Sequence, residues 1–344
     1  MTSEADNRRQ WDGHSPGRYE VWYLTFNDPA TGDGFWIRYT LEAPADGHGE
    51  PYAQLWFARF ASASGAEPAR ATFGINRRQP IATMTAVDEP FSVTIGANRL
   101  AHDAARGALS GGGHAAEWDL QWTPNPRTMH WLPSVMYRRG GVGETTVLSP
   151  SPDVSLRGTV VVDGRTYTLD GAPGGQTHLW GRKHAFAWGW AHCNAFDGAP
   201  GLALELLTVR LRRRGLTLPW LTLATLRTPD EELAWNRFDQ AIVSPRPVCE
   251  TGRLRFAAVG LTAKLEGELT APPERFVRAE YADPDGEPAW CHNTCAADLK
   301  LTLSRRVRGR WKVERELASA GRAHFELGAR DPDPAVTRLH QTIE

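Results

Sequence analysis

Side-chain size alternates with a period of two along almost the whole chain. That pattern commits the chain to β-strands, because successive strand residues point to opposite faces. The runs include YEVWYLTF (19–26), GFWIRYTLE (34–42), AQLWFARF (53–60), LRGTVVV (156–162), AFAWGWAHCNAF (185–196), ALELLTVRL (203–211), TLPWLTLATL (217–226) and LKLTLSRRV (299–307). Gly, Pro, Asp or Asn separates them, and 33 Gly with 24 Pro supply the turns. No segment holds a helical period for more than two or three turns, and 229–239 reads as a short helix or loop. So many strands cannot share one open sheet, so they must stack or close on themselves. The 344 residues suit two antiparallel β-barrels in tandem. The expected seam lies in 149–175, where SPSPDVSL, a hairpin around Asp163-Gly164 and GAPGG follow one another. It divides the chain into 1–155 and 156–344.

Charge removes several classes of function. Lys plus Arg number 39 and Asp plus Glu 40, so there is no basic excess for nucleic acid or an anionic membrane. The basic runs RLRRRG (210–215) and RRVRGR (305–310) sit where strands enter Gly turns and read as edge protection. The longest apolar run, 216–226, contains Pro219 and is too short to span a bilayer. The N-terminus has no apolar core of a signal peptide, and four cysteines are too few for a disulfide framework. A cytoplasmic protein is expected. Cys291 and Cys295 form a Cys-x3-Cys, but the partner pair would be His192 and Cys193, which point to opposite strand faces. No metal site is expected, nor a Cys291–Cys295 disulfide. Phosphate loops, dinucleotide fingerprints and nucleophile elbows are absent from the sequence. The pattern does not fix an oligomeric state.

One segment concentrates the chemistry: GGQTHLWGRKHAFAWGWAHCNAFDG, residues 174–198. Phe186, Trp188, Trp190, His192, Asn194 and Phe196 share one strand face, while Ala185, Ala187, Gly189, Ala191, Cys193 and Ala195 share the other. The small face lets another element approach closely. The large face is an aromatic wall with two hydrogen-bonding groups, the composition of an apolar-ligand pocket. Packing alone does not call for His178, Trp180, Arg182, His184 and His192 so close together.

The string HLWGRKHAFAWGWAHCNAFDG resembles the tocopherol cyclase and carotenoid hydratase (hydroxyneurosporene synthase) family, whose members carry a WG…W.W..CN.F signature early in a second lipocalin-like barrel. VDGRTYTLDGAPGGQTHLWG looks like the family's lead-in, and YADPDGEPAWCHNTCAADLKL (281–301) resembles its C-terminal block. The wider clan includes Diels–Alderases and lipid-binding stress proteins. The resemblance implies two lipocalin-like barrels with a hydrophobic cavity in or between them. It also implies chemistry without redox cofactor or metal, by protonating an alkene or shaping a polyene.

Protonating a C=C needs an acid kept neutral in a dry pocket. Glu20 alternates with Trp22, Leu24 and Phe26, and Glu205 with Ala203, Leu207 and Val209, so both are candidate acids and equally candidate partners for an Arg. His192 and Asn194 are candidates to donate to a carbonyl or relay a proton. Trp188 and Trp190 are placed to face a developing cation, and Arg182 to anchor an anion. Trp22, His178, Trp180, His184 and His292 complete the expected substrate wall. Two readings stand: a cofactor-free cyclase, hydratase or pericyclase acting on a hydrophobic isoprenoid or polyene, and a non-catalytic carrier of a lipid or pigment. A Trp-rich glycan-binding domain is a weaker third.

Overall fold

The computed structural model describes residues 3–62, 72–133, 137, 144–213 and 215–344. Two large sheets hold the described strands. The first has 13 strands, including Arg18–Asn27, Gly34–Ala43, Tyr52–Phe60, Phe73–Pro80, Ala104–Gly111, His114–Gln121, Thr145–Val162 and Arg165–Gly181. The second has 11, including Ala187–Cys193, Ala203–Arg213, Leu216–Arg227, Arg253–Val259, Ala263–Thr270, Val277–Ala282, Pro288–Val307 and Arg310–Ala329. Nearly every pairing is antiparallel and most join neighbours in sequence, as alternation and short turns demand, while long-range pairs such as Arg18–Asn27 with Arg165–Gly181 and Ala187–Cys193 with Arg310–Ala329 complete the sheets.

Each sheet curls around its own core. In the first, Phe73–Pro80 packs against Ala104–Gly111, and Arg77 donates to the Ser110 carbonyl at 3.1 Å. Trp22, Leu24, Phe26, Phe35, Ile37 and Phe57 fill this barrel. In the second, the helix Phe238–Val243 packs against both Leu216–Arg227 and Arg253–Val259, over a core that includes Leu204, Leu206, Phe256, Leu301 and Phe325. The all-β pair of barrels expected from alternation, lipocalin-like as the resemblance implies, is therefore what forms.

A third apolar cluster lies between the barrels, built from Tyr19, Val21, Tyr23, Trp36, Trp56, Trp131, Trp188 and Trp190 among others. Arg18–Asn27 and Gly34–Ala43 are therefore buried on both faces, one toward their own barrel and one toward the neighbour. Each of these Trp side chains removes about 150–250 Å² from water, an upper estimate of roughly 4–6 kcal/mol at 25 cal/mol/Å². Two barrels joined by such a cluster act as one packed body.

The expected seam is displaced. Position 155/156 falls inside the continuous strand Thr145–Val162, which pairs with both Arg165–Gly181 and His114–Gln121. The Pro-rich SPSPDV stretch is a set of bulges in that strand, with register shifts at Leu148/Ser151 and Ser151/Val154. Asp163 (φ 50°) and Gly164 (φ 82°) make the expected tight turn, but it joins two strands of the same sheet. The chain leaves the first sheet after Gly181 and enters the second at Ala187. It then returns: Thr337–Arg338 pairs parallel with Val277–Ala282 of the second sheet, and His340–Ile343 pairs parallel with Phe73–Pro80 of the first. This strap crosses from one barrel to the other.

Candidate functional site: an aromatic cavity between the barrels

The registers of the second sheet lay out a grid facing the first barrel. Trp188, Trp190 and His192 project from Ala187–Cys193. Beside them stand Val209, Leu207 and Glu205 on one neighbouring strand, and Gly328, Glu326 and His324 on the other. Opposite, the first barrel presents Tyr19, Tyr23, Trp36, Arg38, Val147 and Leu179. Between the two surfaces is a cavity of about 200 Å³. Its outer lining includes Leu211, Leu221 and Phe238, the last 46% exposed on the short helix. A cavity of about 150 Å³ holds a benzene ring, so this one takes a ring or a short prenyl-like segment.

Three carboxyl groups stand at the cavity: Glu144 and Glu326 in its lining and Glu205 beneath it. Glu326 lines it directly, and its Oε1 accepts from Trp188 Nε1 at 2.7 Å. Glu205 is buried beneath Trp190: Oε2 accepts from Trp190 Nε1 at 3.1 Å, and Oε1 accepts from Ser149 Oγ at 2.7 Å. His192 Nδ1 bonds the same Oε1 at 3.2 Å, and Trp131 Nε1 donates to Ser149 Oγ at 3.1 Å. Behind His192 the ring of His324 stands 5.2 Å away, centroid to centroid. Asn27 Nδ2 donates to the Cys295 carbonyl, so its Oδ1 faces His324 and receives a bond from Nε2 at 2.8 Å. Burial, then His192, hold the His324 imidazole well below its ordinary pKa, so it stays neutral. His192 Nε2 and His324 Nδ1 are both buried without a hydrogen-bond partner among the described residues.

The phenols stay protonated. Burial and then the nearby Glu205 and Glu326 push Tyr23 well above its ordinary value, and burial does the same to Tyr281. Burial likewise pushes the Cys291 thiol up, with Glu326 next in effect. Arg38 is only 5% exposed. Its guanidinium lies 4.1 Å from the Tyr281 ring centroid, 5.4 Å from Trp56 and 5.8 Å from Trp36.

The expected site residues separate into three groups. Trp188, Trp190 and His184 line the cavity, and Glu205 with His192 lies immediately beneath it. His184 donates through Nδ1 to Asp283 at 2.7 Å and stacks on Tyr19 at 4.5 Å. Burial alone would raise the Asp283 carboxyl, but His184 and Arg330 hold it below its ordinary range. A second group points into the first barrel, away from the cavity. Glu20 accepts from the backbone N–H groups of Gln10 (2.7 Å) and Trp11 (2.9 Å) and bonds His178 Nε2 at 2.9 Å. His178 in turn donates through Nδ1 to the Asp6 carbonyl. Trp22 stacks on His178 at 5.0 Å, and Trp180 leans on it at 4.7 Å. This set clasps the N-terminal segment to the barrel. Strand parity explains the outcome: Glu20 and Trp22 share a face, and Tyr19 and Tyr23 take the other. A third group lies elsewhere. Asn194 Nδ2 ties Asp153 Oδ1 to the Gly174 carbonyl, both at 2.9 Å. His292 Nε2 accepts from the Asp333 backbone N–H, and Arg182 is exposed.

Arg38 and Glu326 are missing from the expected set. The signal for Arg38 was present, since it is a lone cation inside the apolar run GFWIRYTLE. Glu326 alternates with His324 and Gly328 in AHFELGA, beside Phe325 and Leu327 on the core face.

Fold and geometry together define a class: two lipocalin-like barrels enclosing an aromatic cavity at their junction. Residues 153–329 match the family model described as tocopherol cyclase-like. Two uncharacterised proteins of Mycobacterium tuberculosis, from strains CDC 1551 and H37Rv, are each 30% identical over 331 residues, covering 93% of this chain and 89% of theirs. The chain belongs to the tocopherol cyclase-like family. Among solved structures, a Nitrosomonas europaea protein assigned as AttH superposes with a TM-score of 0.56 at 15% identity, over 91% of this chain and 93% of that one. CghA in complex with Sch210972 superposes with a TM-score of 0.50 at 10% identity, over 91% and 88%. These likenesses establish the shared fold. Among the described residues, no helix is long and apolar enough to cross a membrane.

Proposed function

We propose that this protein is a cofactor-independent cyclase or hydratase that protonates a C=C bond of an apolar, isoprenoid-like substrate held between the barrels. The observation that carries this reading is Glu326, a carboxyl group facing an aromatic cavity and oriented by the Trp188 N–H. Glu326 gives its proton to one alkene carbon, and the faces of Trp188, Trp190 and Trp36 stabilise the cation left on the other. A hydroxyl of the substrate, or water, adds to that cation. The proton it loses returns to Glu326, so the cycle closes without an oxidant or reductant. Glu205, with His192 and Ser149, holds Trp190 in place and supplies the field behind it. Family membership supports this class of reaction. The carrier reading keeps the cavity and discards the proton transfer.

The test begins with mass spectrometry of organic extracts of the purified protein and a panel of acyclic isoprenoids screened by thermal shift, where binding raises Tm by mass action. Glu326→Gln should lower turnover of the compound so found by about 10²-fold or more, as expected for loss of a general acid. Its Kd should stay within about threefold. An E326Q protein as active as the wild type refutes the acid assignment. Binding without conversion in the wild type establishes the carrier.

A further inference from the structure

Arg38 is a buried cation at the cavity wall. Its guanidinium is almost fully buried, lines the cavity, and uses Nε to donate to Thr40 Oγ1 at 2.9 Å. No carboxylate of the described residues comes within 4 Å of it. Glu42, the acid of its own strand, makes no ion pair with it: burial, then Asp283, push that carboxyl well above its ordinary value against the pull of Arg38 and Arg78. Glu326 lines the same cavity without reaching Arg38 as an ion pair. Burying a charge without a partner is costly, and three aromatic rings offset only part of the loss. The rings come from both barrels, Trp36 and Trp56 from the first and Tyr281 from the second, so the cation is fixed at the junction. The fork of an arginine matches a carboxylate bidentately.

We propose that the ligand enters as an anion, its apolar body along the Trp188–Trp190 wall and a carboxylate or enolate head on the terminal nitrogens of Arg38. This rests on the function proposed above and narrows its substrate class. It also removes an electrostatic conflict. A carbocation cannot develop cheaply beside an unneutralised guanidinium in a water-poor cavity, and a substrate bringing its own negative head cancels that charge before the proton moves.

The experiment needs no turnover. Binding of geranic acid and of methyl geranate is measured at pH 7.5 by quenching of tryptophan fluorescence in the wild type, Arg38→Lys and Arg38→Met. The two probes share a ten-carbon body and differ in charge. The wild type should bind the acid at least tenfold more tightly than the ester. R38K should keep part of that preference, and R38M should bind both alike. A purely structural Arg38 would move both affinities together and leave their ratio unchanged. Equal binding of acid and ester by the wild type overturns this proposal alone, whatever the variants do. A preference that survives in R38M overturns it too. Binding of neither probe overturns both the proposal and the cavity function on which it rests.

Discussion

Replacing Gly328 with alanine would place a methyl carbon 2.0 Å from Cδ2 and Cε2 of Trp188 and 2.1 Å from Cε3. Unbonded carbons settle about 3.5–4.0 Å apart, so one side must give by roughly 1.5 Å. The backbone at Gly328 is paired on both sides, opposite Trp188 on one strand and Cys291 on the other, so the indole has to move. Overpacking of this kind costs about 1–3 kcal/mol. Retreat also breaks the Trp188 Nε1–Glu326 bond of 2.7 Å, about 1 kcal/mol more. We therefore expect Gly328→Ala to destabilise the protein by about 2–4 kcal/mol and to weaken apolar ligands. Thermal unfolding followed by circular dichroism reads the loss as a fall in Tm of roughly 2–4 °C per kcal/mol for a domain of this size. A double-mutant cycle isolates the cause. With Trp188→Ala already in place, the three nearest atoms that the new methyl would meet are gone, and Gly→Ala in a strand should then stabilise by about 0.5–1 kcal/mol. The sign of the effect thus reverses between backgrounds. A G328A cost below about 0.5 kcal/mol, or the same cost with and without Trp188, would show that the indole does not sit on Gly328.

Three further outcomes follow from other parts of the molecule. His324 stays neutral when folded but takes a proton near pH 6.5 when unfolded, so stability is complete above that pH and falls below it. The slope is about 1.4 kcal/mol per pH unit, and urea unfolding at pH 7.5, 6.5 and 5.5 should show His324→Gln flattening it, an unchanged slope refuting the assignment. Glu42 runs the other way: the native carboxyl keeps its proton while the unfolded one ionises above about 4.5, so stability declines as pH rises from there. Glu42→Gln should therefore gain on the wild type by up to about 1.4 kcal/mol per unit above that pH, and a gap that does not change with pH would count against burial as the cause. Glu20→Ala should loosen the N-terminal segment and cost about 2–4 kcal/mol, because two backbone N–H groups and His178 lose their acceptor. Limited proteolysis near residues 8–17 should accelerate while ligand affinity holds, and an affinity loss without faster cleavage would return Glu20 to the binding site.

Strand parity made much of this legible. Within the strand Ala187–Cys193 the large and small faces are cavity wall and barrel core: Trp188 and Trp190 face the first barrel, and Ala191 and Cys193 pack inside the second, while beyond its ends Ala185 lines the cavity and Phe196 joins the second core. Parity does not say which face of a doubly buried strand meets the ligand. That is why Glu20 and Trp22 carried the same signal as Tyr19 and Tyr23, yet only the latter reach the cavity. The seam misled for a related reason. Pro150 and Pro152 resemble linker residues, but within an 18-residue strand they are absorbed as bulges. Glu326 lies far from the aromatic segment in sequence and reaches Trp188 and Trp190 only through the pairing of Arg310–Ala329 with Ala187–Cys193. Local spacing cannot encode a contact made by register.

The strap that crosses between the barrels also fixes an order in time. Its last bond to the first barrel, Gln79 to Glu344, joins residues 265 positions apart. At about 5–20 residues per second, synthesis leaves the Phe73–Pro80 edge waiting roughly 15–50 s for its final strand. An unpaired edge is an invitation to foreign strands, and this one carries Arg77, Arg78 and a terminal Pro80, the residues that repel such pairing. Those arginines guard the nascent chain first; only later, in the finished protein, does Arg77 pair with Glu344.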